Sequence, residues 1–141
     1  MLNNIPKMLS PELLKVLSEM GHGDEIVIAD ENFPASTNAK RLIRYDGIGT
    51  IDLLNSILKV FPLDDYSAHQ VYLMEVEKND NYNPDIWEQY KESLNKHHKN
   101  YSIKFLKRQD FYKQSRDSYA IIATGEEKLY ANLILKKGVV K

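Results

Sequence analysis

The chain has no cysteine, one tryptophan, and only six glycines and five prolines in 141 residues. Without thiols, disulfides, thiolate metal sites and cysteine nucleophiles are all excluded. Nineteen Lys and Arg stand against twenty Asp and Glu, for a formal charge of −1. The basic excess of a nucleic-acid-binding domain is therefore missing, and no nucleic-acid partner is expected. No apolar run approaches the ~20 residues of a membrane span, so no membrane partner is expected either. The stretch MLNNIPKMLSPELL has no basic segment followed by an apolar core, so a signal peptide is not expected. The expectation is a soluble, cytoplasmic protein. Several catalytic signatures are absent as well. There is no GxSxG elbow for a serine hydrolase, and no phosphate loop or GxGxxG for a nucleotide cofactor. The histidines do not fall in the i, i+4 spacing of HExxH. Neither a cofactor nor a metal is expected.

What remains is ordinary globular composition, 43% hydrophobic and 28% charged, long enough for one domain spanning residues 1–141 with its own core. Ser10-Pro11-Glu12 reads as a helix start, with Leu13, Leu14, Leu17 and Met20 on one face and Gly21 as its stop. Glu25–Ala29 reads as a buried strand, 30–40 as a loop, Leu42–Tyr45 as a strand, and Asp46-Gly47 as a turn. Thr50 is the expected cap of a second helix carrying Ile51, Leu54, Ile57, Leu58 and Phe61, ended by Pro62. His69–Glu77 reads as an alternating strand. Asn83-Pro84 opens a helix with Trp87, Tyr90 and Leu94 on one stripe and His97-His98-Lys99 at a solvated end. Ser102–Leu106 reads as a strand, and Asp110 as the cap of a helix over Phe111–Ser118. Tyr119–Ala123 and Leu133–Leu135 read as further strands. The alternation predicts an α/β fold, a mixed or largely parallel sheet flanked by helices.

Met20–Pro34, MGHGDEIVIADENFP, is the stretch with the most chemistry. Gly21 and Gly23 flank His22, backbone that can approach another molecule closely. Asp24 and Glu25 precede the apolar run, and Asp30-Glu31-Asn32 follow it. An acid/base group near carboxylates suits proton transfer on a polar substrate, and α/β ligands bind where strands meet loops. The alternative for His22 is a turn histidine bonded to nearby backbone. The nine tyrosines read mostly as half-buried packing residues. Tyr130 stands apart because Asn132 follows it beside a strand start.

SPELLKVLSEMGHGDEIVIADENFPAS closely resembles the RbsD/FucU family of sugar mutarotases and pyranases, and within it the fucose branch. IRYDG, LDDY, FLKRQDFY, ATGE and YANLILKKG fall in the family's order along the full length. The resemblance implies an RbsD-like fold and a cofactor-independent isomerase that interconverts the α and β anomers of L-fucopyranose. It implies His22 as the catalytic histidine and, more weakly, Asp64 as an assisting acid. It implies Asp30 and Arg108 as sugar-binding, with Tyr130, Ala131 and Asn132 closing over the sugar. It also implies a homo-oligomer, often a decamer, in which that closing segment completes a neighbour's site. Ala131 departs from the Tyr-Gly-Asn of the fucose branch and matches the ribose branch. Arg108 and the glycine at position 23 point back to fucose. The alternatives are a D-ribose pyranase of the same family, a non-catalytic sugar-binding accessory protein, and a metal enzyme built on His22, Asp24 and Asp30.

Overall fold

Strand β1 (Glu25–Ala29) lies near the middle of a six-stranded sheet, and the rest of the chain is laid out around it. In the computed structural model, which describes residues 1–141, the strand order is β2-β5-β1-β6-β3-β4. The other strands are β2 (Leu42–Tyr45), β3 (Val71–Met74), β4 (Ile103–Leu106), β5 (Ala120–Thr124) and β6 (Leu133–Lys136). β5 pairs in parallel with both β1 and β2, and β3 with β4. β6 alone runs the other way, antiparallel to β1 and to β3. The sheet is mixed, as the sequence predicts, and one sheet gathers the whole chain into a single domain.

Alternate side chains of a strand point to opposite faces, and here both faces are covered. Ile26, Ile28, Ile122, Leu73, Leu133 and Leu135 point to the face packed by α1 (Pro11–Glu19), α3 (Thr50–Leu58) and α4 (Ile86–His97). Val27, Ala29, Ile121, Met74 and Ile134 point to the other face, under α2 (Ala35–Asn38) and α5 (Arg108–Asp117). Full burial explains why β1 and β5 read as unbroken apolar runs. It also corrects the reading of β3: all four of its residues are buried, and it is shorter than the expected His69–Glu77.

Helix starts follow local chemistry, with exceptions. Ser10 caps α1 through its hydroxyl, which accepts from the Leu13 amide at 3.1 Å, and Pro11 fills the first turn. Gly21 does not provide the expected left-handed stop. The chain leaves α1 extended at Met20, and the Lys137 ammonium donates to the Leu17 and Met20 carbonyls at 2.8 and 2.5 Å. The left-handed residue is Gly23, at φ 88°. Thr50 is the first residue of α3 rather than its cap, which is Gly49. α5 begins at Arg108, so Asp110 lies inside its first turn. The short helix α2 interrupts what reads as a loop. His98 is half-buried rather than solvated, and burial pushes its imidazole below the ordinary value.

No helix is long and apolar enough to cross a membrane. Near the chain end, Gly138 runs against the loop before β3. A Cβ there would fall 2.5 Å from the Leu63 carbonyl oxygen and 2.7 Å from Asp64 Cα. Both are backbone atoms that cannot swing away. Gly138→Ala is therefore expected to destabilise the protein by about 1–3 kcal/mol through overpacking. A lowered urea midpoint with unchanged slope is the result that checks it.

Candidate active site

Five strands point one way, so their C-terminal ends share one edge of the sheet with the start of β6. The segment Gly125–Asn132 leaves β5 at that edge, arches over the end of β1 and enters β6 on its far side. Asp30 follows β1 beneath this arch. Its amide donates to Asn132 Oδ1 at 2.7 Å, and its carboxylate accepts from the Asn32 amide at 3.0 Å. The Glu31 amide donates to the Glu126 carbonyl at 3.0 Å, so the arch is tied down at both ends. Burial pushes the Asp30 carboxyl above its ordinary value, opposed by the Asn32 amide bonded to it and by the neighbouring Phe33 and Ala131 amides.

Asp30, Asn132 and Tyr130 line a cavity of about 190 Å3 whose other walls include Phe33, Met74 and Tyr112. The volume is below the roughly 300–1,000 Å3 of sites for drug-sized ligands and suits one small polar molecule. Carboxylate and amide on one side with aromatic rings on the other can take a ring that is polar at its hydroxyls and apolar at its carbons. Ala131 is fully buried and outside the cavity wall. Tyr130 has φ 56°, a left-handed conformation that costs a bulky residue about 1–2 kcal/mol. Its hydroxyl donates to Asp80 Oδ2 at 2.7 Å and accepts from the Glu77 amide at 3.3 Å. Burial and then the Asp80 bond raise the Tyr130 phenol above its ordinary value.

Arg108, the first residue of α5, stands next to this cavity rather than in it. It lines an adjoining open cleft of about 550 Å3 with Glu75, Glu77 and Lys107, and its Nε lies 3.4 Å from Glu77 Oε1. Glu77 thus meets Arg108 through its carboxylate and Tyr130 through its amide. Sequence reasoning passed over Glu77, Asp80, Phe33 and Tyr112. Phe33 is the one with a local signal, an aromatic residue just after β1 and before Pro34.

His22 precedes β1 and lies at the opposite edge. The Gly23 amide donates to the Lys137 carbonyl just past the end of β6, whereas Asp30 pairs with Asn132 just before its start. The five residues of β1 lie between, roughly 16 Å at about 3.3 Å per residue. At its own edge His22 meets Asp64: Nε2 donates to Oδ1 at 2.8 Å, with the imidazole 45% exposed and the carboxylate fully buried. Burial pushes the Asp64 carboxyl up. Bonds from the Ser67 hydroxyl, His22 and the Ser67 and Tyr66 amides outweigh it and hold the group far below the ordinary carboxylate range. An ionised carboxylate only accepts, so Nε2 carries a proton and Nδ1 of the neutral imidazole is left as an acceptor. The exposed Tyr66 ring sits 5.0 Å from the imidazole, centroid to centroid.

The residues expected at one site thus form two groups, His22 with Asp64 and Asp30 with Tyr130 and Asn132, at opposite edges of one chain. Nor do His22, Asp24 and Asp30 converge. The Asp24 carboxylate accepts from the Gly21 amide at 2.7 Å, and nowhere in the protein do three metal-ligating side chains gather.

Comparison with known proteins places this arrangement in a family. Residues 3–140 match the RbsD / FucU transport protein family, and the chain belongs to it. The chain is 45% identical over 144 residues to the fucose mutarotase of Danio rerio, spanning 99% of this chain and 94% of that one. It is 50% identical to the fucose mutarotase of Streptococcus pneumoniae crystallised with L-fucose, with a TM-score of 0.95 over 99% of this chain and all of the other. The Bacillus subtilis RbsD crystallised with D-ribose is more distant, at 25% identity and a TM-score of 0.70 over 95% of this chain and 96% of that one.

Asp64 gives the fold a signed pH dependence. A carboxylate whose folded pKa is depressed stabilises the protein above its unfolded value, near 3.8, and that contribution is lost as pH falls below it toward the folded value. Asp64→Asn is expected to flatten this acid limb. Chemical unfolding at pH 7 and at pH 3 checks it: wild-type stability should fall more between the two than that of the variant.

Proposed function

We propose that the protein is an L-fucose mutarotase, an isomerase that needs no cofactor and acts in the cytoplasm as a homo-oligomer. The observation that carries the reading is the His22–Asp64 pair: an exposed imidazole, fixed by a buried ionised carboxylate, with one ring nitrogen free to exchange a proton. The fucose mutarotases among its relatives, one of them crystallised with L-fucose, support the choice of sugar. The much lower identity to the ribose-bound relative favours fucose over ribose.

The chemistry balances with these groups alone. A proton is delivered to the ring oxygen and another leaves the anomeric hydroxyl. The C1–O5 bond breaks to give the open-chain aldehyde, C1 turns about the C1–C2 bond, and reclosure returns both protons. His22 handles the proton at the reacting centre, and Asp64 is a positioning residue that holds its tautomer. General acid–base help of this kind is worth roughly 10²–10⁴ in rate, enough for a reaction that already proceeds in water. Asp30, Arg108, Tyr130 and Asn132 hold the hydroxyls, which discriminates strongly between epimers.

The two edges are too far apart to meet on one sugar within a chain. In the proposed assembly, of which a decamer is one form, the edge bearing His22 and Asp64 faces a neighbour's edge bearing Asp30, Tyr130 and Asn132. Light scattering should give a multiple of the 16.4 kDa chain, about tenfold for a decamer.

Exchange NMR on equilibrated L-fucose tests the activity. Faster α/β exchange with enzyme than without, unaffected by a chelator, is expected, and equal rates would overturn the reading. His22→Ala should lose most of the exchange while binding L-fucose with only modestly reduced affinity. Arg108→Ala and Asp30→Asn should mainly raise KM, by the roughly 1.5–3 kcal/mol of a charged hydrogen bond.

Complementation tests the shared site. His22→Ala, and Asn132→Ala at L-fucose well below its KM, are each expected to be nearly inactive. Random co-assembly at equal amounts joins two intact edges in about one site in four, restoring about a quarter of wild-type exchange. No recovery in verified mixed oligomers would place each site within one chain.

A further inference from the structure

Trp87 and Tyr90 read from the sequence as packing residues of one helical stripe, but each spends its only hydrogen on the arch. The Trp87 indole Nε1 donates to the Tyr130 carbonyl at 2.8 Å, and the Tyr90 hydroxyl donates to the Ala131 carbonyl at 2.5 Å. These are the two carbonyls that directly follow the Cα of the arch's one left-handed residue other than glycine, Tyr130 at φ 56°. An L-residue takes that conformation against the clash of its Cβ with the following carbonyl, and it persists only where the surroundings over-determine it. We propose that Trp87 and Tyr90 are positioning residues of the sugar site, clamping the backbone of Tyr130 and Ala131 from α4. The proposal rests on the sugar site described above.

The geometry explains what the clamp holds. The peptide unit linking Tyr130 to Ala131 has its carbonyl on the Trp87 indole. The next carbonyl takes the Tyr90 hydroxyl, and the next side chain, Asn132, takes the Asp30 amide. Asp30 is thus gripped by the same short segment that α4 grips from behind. Releasing either carbonyl frees Tyr130 to leave the left-handed region, which takes its hydroxyl off Asp80 and loosens the Asn132 side chain on the Asp30 amide.

Tyr90 is in turn fixed. Its ring is 1% exposed, and Thr50 Oγ1 lies 2.6 Å from its hydroxyl. A carbonyl only accepts, so the Tyr90 proton goes to Ala131, and the Thr50 hydroxyl sits between the Tyr90 oxygen and Glu126 Oε1, 3.0 Å away. The Thr50 amide donates to Glu126 Oε1 at 3.0 Å, which brings the other foot of the arch onto the same α3 residue. The arch is thereby braced by α3 and α4 at both ends, behind the wall that meets the ligand.

The test uses Trp87→Phe, which removes the donor and keeps a ring against Phe105, and Tyr90→Phe, which removes one hydroxyl. Each intact protein is compared with wild type by L-fucose exchange kinetics, thermal unfolding, and hydrogen–deuterium exchange of the peptide covering residues 126–133. Loss of one hydrogen bond should raise KM and the exchange rate of that peptide by about three- to tenfold, with kcat within about twofold. Peptides of the sheet should keep wild-type exchange. If Trp87→Phe lowers the melting temperature yet leaves KM and the 126–133 peptide unchanged, the clamp is only packing and the proposal falls. If wild type fails to speed L-fucose exchange while the variants still loosen residues 126–133, the fucose reading falls and the clamp stands. Should Tyr90→Phe not fold, the half-buried Trp87 decides by the same two readouts.

Discussion

The direction of β6 is the constraint on which the rest of this structure depends. β6 is the one antiparallel strand of the sheet, pairing with β1 on one side and β3 on the other. A parallel strand there would need a crossover from the far edge. Because β6 runs backwards, the chain instead turns at the edge where β5 ends and passes directly over the end of β1. That arch brings Asn132 onto Asp30 across a sequence separation of about a hundred residues. At the other end, the same antiparallel pairing lays Lys137 against the entry to β1. There its ammonium stops α1 and its carbonyl takes the Gly23 amide beside His22. One strand therefore shapes both edges.

The electrostatics of the two edges differ in kind. Asp64 is buried yet held ionised, because hydrogen bonds to its charged form outweigh the cost of burial. Asp30 is buried with its carboxyl raised, because burial dominates its backbone bonds. The first arrangement suits a fixed negative partner for an imidazole. The second leaves a carboxylate that gains from a further polar partner, as a bound sugar hydroxyl would provide. Separating them by the length of β1 keeps the two carboxylates from perturbing each other. The proposed assembly would bring them together only across two chains.

Much of the fold was legible because burial leaves a local mark. β1 and β5 are apolar runs covered on both faces, β2 sits beside a turn, and Ser10-Pro11 marks the start of α1. The misreadings have a common origin in tertiary partners. Gly21 looks like a helix stop, but Lys137, far along the chain, satisfies the carbonyls a glycine turn would have satisfied. Thr50 looks like a cap, but its hydroxyl is taken by Tyr90 and Glu126. Asp110 looks like a cap, but α5 has already begun at Arg108.

The same division runs through the site. Residue types and local order were readable from sequence alone: a histidine between glycines before a strand, an aspartate after it, a Tyr-Ala-Asn segment before the last strand. Those features lie within a few residues of one another and depend on local backbone. Only the tertiary structure decided that His22 pairs with Asp64 at one edge, while Asp30 meets Asn132 and Arg108 meets Glu77 at the other. Strand order and direction set those distances, and both are fixed by pairing between segments distant in the chain, which no local periodicity encodes.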